Sequence, residues 1–363
     1  MKRGLLLVVI SALLIAQPSW AGREKIATIS KDPYISAIVI DANTGKTLID
    51  ENSTLKAYPA SVVKMMVLLV VLEQIEKGTL DLSDMVQVTP EAARMGGSQV
   101  YLDPKEQFPV EDLLYALVIQ SANDAAVALA IHVSGSKEGF VALMNERAVS
   151  LGMKDTRFHS VHGLPPSDGQ QVDTTTAKDL SLLAMKLAKR KETFKYTGAK
   201  EREFRGGDFI MRTHNHLLKN VAGCDGFKTG YFKAAGFSIV ATAKRKGVRL
   251  IVVVLGSKDR KVRDAKATEL LTRGFSKVPA RTEAEIAREP LVKKDLSMPQ
   301  PKKTEEALSV VEKQDTVGEE KDTAQTGNGW IMFFLGVSVG LLPFLFLVIS
   351  RMKRSNRRTR NFM

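Results

Sequence analysis

The apolar positions of this chain change period along its length, and each change marks an element. Residues 34–41, Tyr-Ile-Ser-Ala-Ile-Val-Ile-Asp, are dense in β-formers and run into Asn43-Thr44-Gly45, so residues 34–50 read as a β-hairpin. An unbroken apolar run over 65–72 follows Tyr58-Pro59-Ala60-Ser61. Pro59 pre-sets a helix-like φ, and the run predicts a helix that can be buried on all sides. Helical periodicity covers 110–120 and 124–132, with Ser121-Ala122-Asn123 on the short connection between them, and returns over 137–151 and 177–189. Gly96-Gly97, Asp103-Pro104 and the stretch holding Pro165, Pro166 and Gly169 read as loops. Strand patterns recur at 227–231, 237–242 and 248–255, and 261–274 reads as a closing helix. Early strands, a helical middle and late strands predict one α+β domain, its antiparallel sheet built from both ends of the segment.

The two ends differ in texture. Lys2 and Arg3, an apolar stretch over 4–16, and the small residues Ser19 and Ala21 read as a secretory signal over 1–21. The folded domain is expected over 22–276. Residues 277–329 carry nine Lys/Arg, eleven Asp/Glu and four prolines, a flexible charged linker with no strand pattern long enough for a second β domain. Residues 330–350 are uncharged and mostly apolar, long enough to span a bilayer, with Trp330 at one interface. Residues 351–363 hold six cations and no anions. The positive-inside rule places this tail in the cytoplasm, and the signal places the domain on the opposite side. Those six cations are nearly half of the net +13, so they read as a topology signal rather than a nucleic-acid surface. Gly336 and Gly340 form a G-x-x-x-G, a pattern that can pair spanning helices. At 363 residues and 44% apolar content the chain can bury a core, and its one cysteine, Cys224, excludes a disulfide framework and reads as a buried, inert thiol.

The candidate chemistry lies in three short constellations. In a helix Ser61 and Lys64 share one face. A serine hydroxyl needs a base within reach, and a lysine serves only if burial and a nearby cation lower its pKa. Ser61 also stands at a helix start, where free N–H groups favour developing negative charge. Alone this is a common pattern. Ser121-Ala122-Asn123, which also reads as a helix cap formed by Asn123 or Asp124, and Lys228-Thr229-Gly230 complete the ordered set S-x-x-K, S-x-N, K-T-G. With Asp41-Ala-Asn-Thr-Gly45, Ile119-Gln-Ser-Ala-Asn-Asp-Ala125, Val161-His162-Gly163-Leu164 and Asp225-Gly-Phe-Lys-Thr-Gly-Tyr231, roughly residues 30–276 resemble the D-alanyl-D-alanine carboxypeptidases, the low-molecular-mass penicillin-binding proteins.

That resemblance implies a β-lactamase/transpeptidase-like fold, a five-stranded antiparallel sheet covered by helices with a helical subdomain, here followed by one C-terminal transmembrane helix. The family usually ends in an amphipathic surface helix, so the full span departs from its pattern. With the signal and the basic tail, that span makes this a single-pass bacterial cell-membrane protein with an extracytoplasmic (periplasmic) catalytic domain and a cytoplasmic tail. Its partners would be peptidoglycan stem peptides ending in D-Ala-D-Ala, and β-lactams as covalent inhibitors. The resemblance assigns Ser61 as nucleophile, Lys64 as base, Ser121 with Asn123 as proton relay and support for Lys64, and Lys228 as the cation that keeps Lys64 neutral. The amides of Ser61 and Tyr231 would form the oxyanion hole, Thr229 would bind the terminal carboxylate, and Gly230 would let a peptide approach as an added strand. Arg263 corresponds by spacing to a carboxylate-binding arginine, though Lys258, Arg260 and Lys261 compete with it, and His162 would shape the site from a loop. No cofactor is implied. In a strand, His214 and His216 would face one side, but two ligands make a weak metal site and none is expected. The rival readings are a β-lactamase, which shares the acylation but deacylates fast, and a non-catalytic sensor or wall-binding module, for which Lys64 would be superfluous.

Overall fold

The computed structural model describes residues 26–167 and 169–280. The expected signal, most of the linker, the membrane span and the basic tail lie outside the described residues. Among those described, no single helix is long and apolar enough to cross a membrane.

The first hairpin forms as its pattern predicts. Strand β1 (Ser36–Asp41) turns through Asn43-Thr44-Gly45 into β2 (Thr47–Glu51). The Asp41 carboxylate accepts the Asn43 amide at 2.9 Å and so closes the turn. A 3₁₀ turn, Ala60–Val63, then leads without a break into α1 (Lys64–Lys77), whose first ten residues are all buried. Three elements are too short to read from periodicity: β3 (Met85–Gln87), α2 (Pro90–Ala93) and β4 (Gln107–Pro109). The helix expected over 110–120 starts as α3 (Val110–Tyr115) and widens into a π turn, Ala116–Gln120. It ends on Ser121 in the left-handed region at φ 60°, and α4 (Asn123–Ser134) follows at once. Next come α5 (Lys137–Ser150), α6 (Ala177–Ala188) and α7 (Lys191–Thr197), then a second small hairpin, β5 (Glu201–Phe204) with β6 (Phe209–Arg212), and α8 (Leu217–Asn220). The chain closes with β7 (Cys224–Phe232), β8 (Gly236–Arg245), β9 (Val248–Ser257) and α9 (Arg260–Ser276).

The main sheet is antiparallel, in the order β2-β1-β9-β8-β7, so both ends of the domain do build it. Its two faces carry two cores, set by the two-residue period of the strands. Ile38, Ile40, Ile251, Val253 and Leu255 pack with α1, α4 and α6 in the larger core. Ala37, Val39, Leu250, Val252 and Val254 pack against Ala267, Leu270 and Leu271 of α9 in the other. Strands buried on both faces explain the continuous apolar runs at 250–255 and 37–40.

Neither Asn123 nor Asp124 caps α4, contrary to the sequence expectation; the cap residue is Ala122, with no side-chain bond. Asp124, fully buried, instead accepts the amides of Val100 and Leu102 and clamps the loop over 96–102 onto α4. Replacing Asp124 by Ala leaves two buried amides without an acceptor, at about 1–3 kcal/mol each. Asp124→Ala is therefore expected to lower unfolding free energy by about 2–6 kcal/mol in urea titrations. An unchanged midpoint would show that the loop is held by other contacts.

Candidate active site

Three stretches far apart in sequence meet at the start of α1. The turn before it is tightly braced. Ala60 takes a φ of 49°, unusual for a residue with a Cβ, and presents Ser61 on the 3₁₀ turn that follows. Two glycines press on this turn from opposite partners. A Cβ on Gly163 would lie 2.0 Å from the Ala60 carbonyl oxygen, and one on Gly230 would lie 2.5 Å from the Pro59 oxygen and 3.1 Å from the Ser61 nitrogen. Only glycine permits both approaches. Gly230 therefore brings its strand directly against the turn that carries Ser61, a contact separate from the peptide approach that the resemblance assigns to it.

Lys64 is 1% exposed, and its Nζ makes three hydrogen bonds. It donates to Asn123 Oδ1 at 2.7 Å, to the His162 carbonyl at 2.8 Å and to Ser61 Oγ at 3.2 Å. Two of these partners can only accept. When Lys64 is neutral, its two N–H bonds stay with Asn123 and His162, and the lone pair is left facing the Ser61 hydroxyl. That is the geometry a general base requires. Burial, first, and the charge of Lys228, second, push the Lys64 pKa well below the ordinary lysine value, against an opposing pull from Asp124 and Asp173.

Each holder of Lys64 is itself held. Asn123 donates its Nδ2 to the Gly96 carbonyl at 2.7 Å, which fixes which end of its amide faces Lys64. The loop bearing His162 is tied down by buried Asp173, which accepts the amides of His159 and Ser160 and the Ser160 hydroxyl. The His162 imidazole accepts the Leu164 amide at Nδ1, so the neutral ring carries its proton on Nε2. Burial, then Lys64 and Lys137, lower its pKa to about 3. The sequence reading of His162 as a loop-shaping residue missed its main contact, which runs through the backbone carbonyl and not the ring.

Ser121 is buried in its left-handed position at the end of the π turn, but it is not among the partners of Lys64; Asn123 and His162 supply the support expected of Ser121. Lys228 is buried on β7, with a pKa lowered to about 7 by burial and then by Arg263. Thr229 is buried next to it, and Tyr231 is 54% exposed, stacked on Phe237 with ring centroids 4.1 Å apart. Strand β7 is the last in the sheet order, so one of its edges is open to an added strand. Of the cations near 260, Lys258, Arg260 and Lys261 are exposed and only Arg263 is buried. Its guanidinium is engaged by Asp264 and lies 3.3 Å from the Ser238 carbonyl, opposite Gly230 in the β7–β8 register.

His214 and His216 lie in a turn leading into α8, both exposed, and not in the strand that would align them. Among the described residues no group of three or more His, Cys, Asp or Glu is placed to hold a metal ion. Cys224 is half-buried and its thiol pKa is pushed up to about 11, chiefly by burial, so it stays protonated and unreactive at neutral pH.

The sheet and its helical cover are shared with solved penicillin-binding proteins. Penicillin-binding protein 6B from Escherichia coli matches with a TM-score of 0.63 at 32% identity, over 69% of this chain and 81% of that one. Penicillin-binding protein D2 from Listeria monocytogenes, solved with ampicillin bound, matches with a TM-score of 0.61 at 29% identity, over 69% of this chain and 99% of that one. These likenesses define an α+β protein of the penicillin-binding, transpeptidase-like class. Residues 27–259 match the profile of the D-alanyl-D-alanine carboxypeptidases, and the chain belongs to that family. The carboxypeptidase DacF of Bacillus subtilis is 39% identical over 244 residues, and DacA of Escherichia coli is 36% identical over 267. The alignments take in 66% and 70% of this chain but only 62% and 65% of those curated relatives.

The charge coupling in this cluster gives a signed expectation. As the base that the resemblance assigns, Lys64 can accept the Ser61 proton only as the neutral amine, so acylation is expected to rise with pH through the Lys64 pKa. Removing the repulsion of Lys228 raises that pKa. In Lys228→Ala, the ascending limb of penicillin acylation rate against pH is expected to move to higher pH. An unmoved limb would break the proposed coupling.

Proposed function

We propose that this protein is a serine-type D-Ala-D-Ala carboxypeptidase, which removes the terminal D-alanine of peptidoglycan stem peptides. The observation that supports this most directly is the neutral-amine geometry of Lys64, its lone pair left facing Ser61 Oγ by two fixed acceptors. In the proposed reaction Ser61 Oγ attacks the carbonyl carbon between the two D-alanines while its proton passes to Lys64 Nζ. The tetrahedral oxyanion is held by the Ser61 and Tyr231 amides. Ser121 relays a proton to the leaving amine, D-alanine departs, and water hydrolyses the acyl-Ser61 ester. The substrate backbone pairs with the open edge of β7, with Thr229 and Arg263 receiving its terminal carboxylate. We further propose that residues 1–21 direct export and that 330–350 anchor the domain outside the cytoplasm on a charged linker. A flexible chain of about 50 residues would span on the order of 40 Å r.m.s. and so reach polymer above the bilayer.

A β-lactamase needs a further positioned base to clear the acyl-enzyme quickly. The two carboxylates that act on Lys64, Asp124 and Asp173, are both occupied by loop amides, which favours slow clearance of penicillin. The test is parallel measurement of D-alanine release from a D-Ala-D-Ala pentapeptide and decay of a fluorescent penicillin adduct. D-alanine release with a long-lived adduct, both lost in Ser61→Ala, is expected. Rapid penicillin turnover without D-alanine release would move the assignment to a β-lactamase. A chain ending near Gly327 should be released from membranes and retain activity on the soluble peptide; a folded but inactive truncation would give the distal segment a role beyond tethering.

A further inference from the structure

A cavity of about 220 Å³ lies between the β5–β6 hairpin and the turn before α8, and the chemistry described above uses none of its side chains. Two contacts join its lining to residues beside the active site. The Arg212 amide bonds the side chain of Gln120, the residue before Ser121. On another side His216 Nδ1 stands 3.7 Å from Asp264, the partner of Arg263.

Its lining is unbalanced in charge. Lys200, Arg212 and Lys219 face one carboxylate, Glu201, which is 3.8 Å from Arg212. Lys200 and Lys219 pair with no carboxylate among the described residues. The lining also holds one fixed donor. Asn215 is 3% exposed, and its Oδ1 accepts the Leu217 amide at 3.1 Å, which determines the orientation of its amide. Its Nδ2 is then a buried N–H donor with no acceptor among the described residues. Such a group costs about 1–3 kcal/mol unless something outside the chain satisfies it. An unsatisfied donor on a residue that lines a cavity with three cations and one carboxylate favours an oxyanion over a cationic or apolar group.

We propose that this cavity is a binding site for a carboxylate- or phosphate-bearing group, with Asn215 Nδ2 as its fixed donor and Lys200, Arg212 and Lys219 as its counter-charges. The group is either a carboxylate on the peptide being processed or a free anion. The discriminating variant is Asn215→Asp, which keeps the oxygen that accepts the Leu217 amide and replaces only the donor by a repelling carboxylate. The double variant Lys200→Ala/Lys219→Ala removes two exposed, unpaired cations and serves should Asn215→Asp unfold.

The full chain in detergent is titrated with inorganic phosphate and with acetate against chloride at constant ionic strength, following the thermal midpoint. Saturable stabilisation by phosphate or acetate is expected, weakened at least tenfold in either variant, with penicillin labelling of Ser61 unchanged. A lower KM for a D-Ala-D-Ala peptide bearing an upstream carboxylate than for its amidated form, with phosphate competing, identifies the peptide as the source. Equal KM values with phosphate binding retained identify a free anion. No saturable response in the wild type, or equal affinity in both variants, overturns the proposal. Phosphate binding without any D-alanine release would remove the carboxypeptidase reading and leave the site standing.

Discussion

The arrangement depends on one buried nitrogen. A lysine ammonium enclosed by apolar residues is costly unless each of its protons is accepted or it gives one up. Lys64 is set so that both outcomes are available: three acceptors for the charged form, and two acceptors plus the Ser61 hydroxyl for the neutral form. Desolvation and Lys228 favour the neutral state; Asp124 and Asp173 favour the charged one. The difference between these opposed effects sets how readily the lysine serves as a base, so small displacements of any of these groups change reactivity directly.

The surroundings follow from this constraint. Asn123 must present its oxygen and not its nitrogen to Lys64, and the Gly96 carbonyl enforces that choice. The His162 carbonyl must stay within hydrogen-bond reach, which the Asp173 clamp on residues 159–160 secures. Asp124 and Asp173 each combine two actions: they anchor a loop through backbone amides, and they contribute field at Lys64. A carboxylate that accepts amide bonds is well satisfied where it lies and poorly placed to take a proton from water. The same residues therefore stiffen the site and limit what chemistry it offers.

The sheet contributes reach rather than charge alone. Its edge strand β7 brings Lys228 near Lys64, Gly230 against the Ser61 turn, and one free edge toward solvent. Arg263 arrives from α9 beneath β8, so two cations approach the cluster from one side while the loops supply acceptors from the other. The cavity at Asn215 adds three further cations, Lys200, Arg212 and Lys219.

What the sequence determined by itself was local or periodic. The three-residue spacing of Ser61 and Lys64, the buried character of 65–72, the hairpin at Asn43-Thr44-Gly45 and the late strands with their closing helix were all legible, because helix and strand periods act over a few residues. The ordered motifs with their flanking residues were enough to mark the family. The tertiary structure alone decided the rest. The π turn that aims Ser121, the role of Asn123 as a partner of Lys64 instead of a cap, the use of the His162 backbone in place of its ring, and the Asp173 clamp carry no periodic signal. Arg263 could not be told from its neighbours in sequence, since burial is what separates them. Orientation of an amide, exposure of a carbonyl and the sign of a pKa shift depend on atoms tens of residues away, and they exist only once the loops have closed around Lys64.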